Sequence, residues 1–189
     1  MTVKQSHILN TALSLFHQEG FSTVGVDRII AECKIAKMTF YKYYPAKLLL
    51  IEDCLKIESK NIHSAINERL KGCVEYDPLE KLKVIYEWHI ELIKTKNYNG
   101  CLFHKASGTF LKEETSIFEI IDQHKIGKIN LIRTQLLDLN IVEPDSLAAL
   151  IVNILDGMLI NARYDQFAHL RGWHFLETCL NHNRVDLFV

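Results

Sequence analysis

The chain is 189 residues long, 48% hydrophobic and 24% charged, with a formal net charge of −1. That balance belongs to a globular protein with a buried core and excludes a collagen-like or low-complexity chain. Eight glycines and three prolines are too few to punctuate many short strands, and no apolar run approaches the roughly 20 residues of a membrane span, so long helices and no membrane partner are expected. Thr2-Val3-Lys4-Gln5 opens the chain as a capping box, with Thr2 capping and Gln5 reaching back. Ile8, Leu9, Ala12, Leu15 and Phe16 then share one helical face. Gly20 ends this helix, and Phe21 is placed to fold back onto Phe16. A second helix starts near Gly25, with Asp27 in its first turn and Val26, Ile29, Ile30 and Cys33 facing inward. Lys34 and Ile35 make a tight turn. A third helix follows over roughly 37–44, with Ile35, Phe40 and Tyr44 as core contacts.

Pro45 suits the start of a fourth helix that continues to about Leu70. Gly72 and Pro78 mark a break. A fifth helix carries Leu82, Ile85, His89, Leu92 and Ile93 on one stripe. Residues 97–100 turn the chain into a sixth helix over about 102–111. A seventh covers about 116–139, with Phe118, Ile121, Ile129, Ile132, Leu136 and Leu139 in register. Pro144 opens an eighth, with Leu147, Leu150, Ile151, Ile154, Leu155, Met158 and Leu159 inward. A ninth covers roughly 167–180. The fold class is therefore all-α: an N-terminal three-helix helix-turn-helix head joined to a larger C-terminal helical bundle, about nine helices in total. The expected division is 1–47 for the head and 48–189 for the body.

The segment 35–47, IAKMTFYKYYPAK, crowds cations, hydroxyls and aromatics into a stretch that cannot bury them all. Residues 1–47 carry six lysines or arginines against three acids, whereas the rest carries 16 against 20. A basic head on an acidic body fits one end meeting nucleic acid. A short exposed helix of this composition suits the major groove of duplex DNA. Met38 and Thr39, early in the third helix, are candidates for base edges or a thymine methyl. Tyr41 and Tyr43 are candidates for phosphates through their hydroxyls. Lys34, Lys37, Lys42 and Lys47 are candidates for phosphate pairing, Lys47 in the first turn of the fourth helix. The competing reading for Lys37 and Lys42 is a solvated helix face; for Tyr41 and Tyr43 it is packing against neighbouring helices. One short helix reads few base pairs, so two heads about 34–36 Å apart are required.

Residues 8–51 resemble the DNA-binding domain of TetR-type (tetracycline-repressor-like) bacterial transcriptional regulators. The match is carried by Ile8, Ala12, Leu15, Phe16, Gly20, Phe21, Val26, Ile29, Ala31, Ile35, Lys37, Thr39, Tyr41, Tyr44, Lys47 and Leu50. The strings GVDRIIAE (25–32) and IAKMTFYKYYPAK (35–47) are similar to one branch of that family, and GCLF (100–103) and LDGMLINA (155–162) more weakly so. The resemblance implies an all-helical, cytoplasmic homodimer, most often a repressor, whose body binds a small-molecule effector that alters affinity for a double-stranded DNA operator. Two positions depart from the family pattern. Lys34 stands where glycine is common, at a cost of about 1–2 kcal/mol if the backbone there is left-handed. Ala36 stands where a serine would cap the third helix, worth roughly 1 kcal/mol.

In the body, Tyr86, His89, Cys101, Phe103, His104, Phe110 and His124 are the candidates for an effector cavity. For His89 the competing reading is a core histidine with its hydrogen bonds satisfied. Gly157 either lets a partner helix approach or is a tolerated glycine. No cofactor is expected. Five scattered cysteines (33, 54, 73, 101 and 179) form no CxxC pair, and no histidine pair has convincing metal-ligand spacing, so reduced thiols and no metal are expected. Two alternatives stand beside the regulator. One is an all-α enzyme using Cys101, His104, Ser107 and Asp122, whose spacing matches no nucleophile–base arrangement. The other is a helical adaptor whose basic head binds an acidic protein.

Overall fold

The structure, a computed structural model, describes residues 1–73, 77–162 and 172–184. Nine α-helices are present among them: α1 (Val3–Glu19), α2 (Val26–Cys33), α3 (Lys37–Tyr43), α4 (Lys47–Lys71), α5 (Pro78–Lys94), α6 (Leu102–Thr109), α7 (Thr115–Asp138), α8 (Pro144–Asn161) and α9 (Gly172–His182). The all-α expectation holds. Pro45 stands just outside α4, in a bend that ends α3. For α9, residues 167–171 of the expected helix lie outside the described residues.

The chain forms two units: Met1–Asn61 with Asn99–Asp122, and Ile62–Tyr98 with Gln123–Val189. This geometric grouping differs from the division by function at residue 47, because residues 99–122 cluster with the head. In the first unit, Thr2 accepts the amide of Gln5 at 3.2 Å and so caps α1. The Gln5 side chain lies near the Tyr44 hydroxyl, where it favours the phenolate. Gly20 takes φ +83°, which a side chain would resist. The turn it makes stacks Phe21 on Phe16 at 4.9 Å. Ile8, Ala12, Phe16, Val24, Ile29, Phe40 and Leu50 are fully buried. Burying a side chain of this size contributes roughly 1.5–3 kcal/mol each, which outweighs the weak intrinsic helicity of such short segments.

The second unit has one contiguous core of Ile66, Leu82, Ile85, Ile132, Leu136, Ala148, Ile151, Val152, Leu155 and Leu180, among others. The α7 C-terminus closes with Asn140 at φ +55° and the Ile141 amide bonded back to Leu136 at 3.1 Å, the 6→1 bond that satisfies a helix-end carbonyl. α8 departs from expectation at two positions: Leu150 and Ile154 are exposed, not inward. The inward stripe of α8 runs through Ile151, Leu155, Met158 and Leu159, and a second apolar face is left on the outside. With 18 residues and a mean hydropathy of 1.2, α8 also has the length and composition of a membrane span, although a third of it is buried in the unit.

Candidate nucleic-acid interface

The turn between α2 and α3 is built on Lys34, whose backbone is left-handed at φ 53°, ψ 44°. The Lys34 amide bonds the Ala31 carbonyl at 3.2 Å and the Ile35 amide bonds that of Ile30 at 3.4 Å. This is the glycine-type end of a helix made with a lysine, so the sequence departure at 34 leaves the geometry intact at the cost of local strain. Ala36 takes the extended N-cap conformation, with no side-chain bond to α3. The amides of Thr39 and Phe40 reach its carbonyl at 2.9 and 3.2 Å.

α3 is seven residues long. Two aromatics anchor it. Phe40 is fully buried, and Tyr44 just beyond is 2% exposed, with its hydroxyl 3.4 Å from Asp53 Oδ2. Burial, with the nearby Asp53 charge, pushes the Tyr44 phenol up to about 12. Because these two rings point in, the opposite side of α3 is left outward. Met38 is 86% exposed, Lys34, Lys37 and Lys42 are exposed, and Tyr41 stands out with its ring edge-on to Phe40 at 5.4 Å. Thr39 and Tyr43 are half-buried. The ammonium of Lys37 lies 3.4 Å from Asp27 Oδ1, both in solvent. A pair so exposed is worth little and exchanges readily for a phosphate. The structure thus brings Lys34, Lys37, Met38, Tyr41 and Lys42 to one exposed stretch, with Thr39 at its edge.

Lys47 is placed differently. Its ammonium donates to the Phe21 carbonyl at 2.6 Å and lies 5.9 Å from the centre of the Phe16 ring. Burial lowers its pKa. Here the lysine ties the start of α4 to the turn after α1. From sequence this was invisible, because Phe21 is 26 residues away.

The candidate cavity residues fall in both units. In the first, Cys101 occupies the N-cap of α6, Phe103 is buried, His104 is half-buried, and Phe110 packs on Phe21 at 5.6 Å. Ser107 donates to the His104 carbonyl at 3.0 Å, which gives no activated nucleophile. In the second, Tyr86 lies against Trp173, and His124 is edge-on to His63 at 5.4 Å. His89 is 2% exposed, with Nδ1 2.8 Å from the Ile85 carbonyl. Burial, aided by the Lys128 charge, pulls the His89 pKa down to about 4, against the pull of that carbonyl. None of the seven lines the groove of about 360 Å³ bordered by Ile141, Glu143, Leu147, Leu150 and Asn183. The sequence reading missed a buried ion pair, Lys128 with Asp156. The signal was present: Lys128 stands four residues after His124 and four before Ile132, on the inward stripe of α7.

A left-handed turn between two short helices, with a cationic and aromatic outer face on the second, is the arrangement of a DNA-binding helix-turn-helix unit. Residues 8–54 match the family described as bacterial regulatory proteins, tetR family. The match covers the helix-turn-helix head, which is therefore similar to the DNA-binding domain of that family. Over 115 residues the chain is 37% identical to the uncharacterized HTH-type transcriptional regulator YuxN of Bacillus subtilis, covering 60% of this chain but only 38% of that protein. It is 22% identical to the HTH-type transcriptional regulator YjdC of Escherichia coli, across 83% of this chain and 82% of YjdC. The fold is shared with SCO4454, a TetR-family transcriptional regulator from Streptomyces coelicolor (TM-score 0.87, 19% identity, 95% of each chain). It is shared too with the reduced form of E. coli NemR (TM-score 0.80, 19% identity, 100% of each chain).

Proposed function

We propose that this chain is a homodimeric, cytoplasmic repressor that binds a double-stranded operator through α3 and is released by a small-molecule effector held in its body. The observation that carries the reading is the outward face of α3, where Met38 stands 86% exposed among Lys34, Lys37, Tyr41 and Lys42. Base reading falls to Met38 and Thr39. Phosphate pairing falls to the lysines and to the hydroxyls of Tyr41 and Tyr43. Lys47 contributes chiefly by holding the head together.

Self-association has its own support. Leu150, Ile154 and Gly157 follow one another on the outer side of α8, Leu150 is 54% exposed, and a Cβ built on Gly157 meets nothing within 4 Å among the described residues. Phe175 on α9 is 76% exposed. An apolar face of this kind suits a partner helix. The effector acts through its different affinity for two arrangements of the paired heads, and cannot act otherwise. The proposed contacts remain Tyr86, His89 and His124 in the second unit and, separately, Cys101, Phe103, His104 and Phe110 in the first.

The test is fluorescence anisotropy with duplexes drawn from the DNA flanking the protein's own coding region, at several salt concentrations. The expected result is one duplex bound far more tightly than an unrelated one, with affinity falling steeply as salt rises. Equal, salt-independent binding to every duplex would reject the reading.

A further inference from the structure

The carbonyl end of α1 is held from outside the helix-turn-helix. The last carbonyls of any helix lack intrahelical partners and carry the negative end of its dipole. At α1 two of them are met by residues of the α6 region. Lys105 Nζ donates to the His17 carbonyl at 2.6 Å. Asn99 Nδ2 donates to the Gln18 carbonyl at 2.7 Å and reaches His17 at 3.4 Å. Five residues after Lys105, Phe110 at the end of α6 packs its ring on Phe21, in the turn that α1 leads into. These contacts link residues more than 80 positions apart, and all lie within the first unit. A cation at a helix C-terminus, with a second donor on the next carbonyl, fixes that end in direction as well as in place.

We propose that Asn99 and Lys105 are positioning residues for DNA binding: they clamp the end of α1 and thereby set the pose of the head. α1 packs on α2 and α2 on α3, so a change in the pose of α1 is carried through α2 to α3. The clamp gives residues 99–110 a hold on the head that does not run through α4. The inference rests on the reading that α3 binds DNA.

The experiment uses the full chain with Lys105→Met, Lys105→Arg and Asn99→Ala. Hydrogen exchange is followed without DNA, and binding is measured on the duplex selected above, well below the unfolding temperature. Lys105→Met is expected to speed exchange at the amides of residues 16–20 and to weaken duplex binding, each by about three- to tenfold, the net scale of one ordinary, partly solvated hydrogen bond. The salt slope should be unchanged, because Lys105 meets a carbonyl and not a phosphate. Lys105→Arg should restore binding, and Asn99→Ala should repeat the effect more weakly. Faster exchange with unchanged affinity would make the clamp merely structural and overturn the proposal. A salt slope reduced by about one would make Lys105 a phosphate contact and overturn it equally. Unchanged exchange in both Lys105→Met and Asn99→Ala would show that there is no clamp. If the wild-type chain binds no duplex while exchange responds as expected, the DNA-binding reading fails and the clamp stands as geometry alone.

Discussion

In the first unit the cations of α3 and the turn before it stand in solvent, whereas in the second a lysine, an aspartate and two histidines are turned into the core. Lys34, Lys37 and Lys42 are exposed; Lys128, His89 and His124 are buried. An exposed ammonium keeps its water until a phosphate replaces it, so changing it alters binding and leaves folding nearly untouched. A buried ion has lost its water already, at several kcal/mol, and is tolerable only with its partner. Substitutions in the head should therefore read out first as affinity and those in the body first as stability.

The sharpest break of that contrast is Lys128→Ala. It removes the ammonium that pairs with the largely buried Asp156 carboxylate. A loss of about 3–5 kcal/mol is expected in urea denaturation. Replacing both partners with apolar residues should recover most of it. A loss under about 1 kcal/mol would mean that the pair is effectively solvated.

His89 gives the next effect. Its folded pKa of about 4 lies below the ordinary 6.5. Below pH 6.5 the unfolded chain takes up a proton that the folded chain refuses. Stability is therefore lost as pH falls from 6.5 towards 4, by about 2–3 kcal/mol between pH 7 and 4.5. Unfolding free energies from urea titrations at the two pH values should differ less in His89→Gln by about that amount. An identical pH dependence in the variant would assign the titration to another group.

In the head the expected effects on folding are smaller. Ala36→Ser supplies the hydroxyl that the extended backbone at Ala36 is shaped to present, and should stabilise the head by about 1 kcal/mol. Thermal unfolding would show it, and no gain would mean that the N-cap is already served by water. Smallest is Lys34→Gly. It relieves roughly 1–2 kcal/mol of left-handed strain but adds roughly 0.5–1 kcal/mol of freedom to the unfolded chain. The net gain is under about 1 kcal/mol, yet the salt slope of duplex binding should fall by about 0.9 if Lys34 meets a phosphate. A more stable head that binds DNA less tightly would confirm that the lysine is there for the partner.

Local signals made the head legible. The Thr2 cap, Gly20, the Phe21–Phe16 contact and the tight turn at Lys34 each depend on residues within a few positions of one another. What escaped were the long-range polar ties: Lys47 to Phe21 and Lys105 to His17. A lysine on a helix carries no mark of which distant carbonyl it will serve. In the body the helix boundaries followed from periodicity within a few residues. Periodicity could not choose between two apolar faces of α8, so Leu150 and Ile154 were assigned inward when they point out. A helix apolar on both sides is ambiguous from sequence, since core and partner surface use the same residues.

An isolated helix of seven residues does not hold its shape in water, so α3 borrows its form from Phe40 and from Tyr44 at its end. Its outward positions contribute almost nothing to that form. They are free to drift in evolution, and a descendant of this protein could acquire a new target sequence through a handful of surface changes without ever passing through a misfolded ancestor.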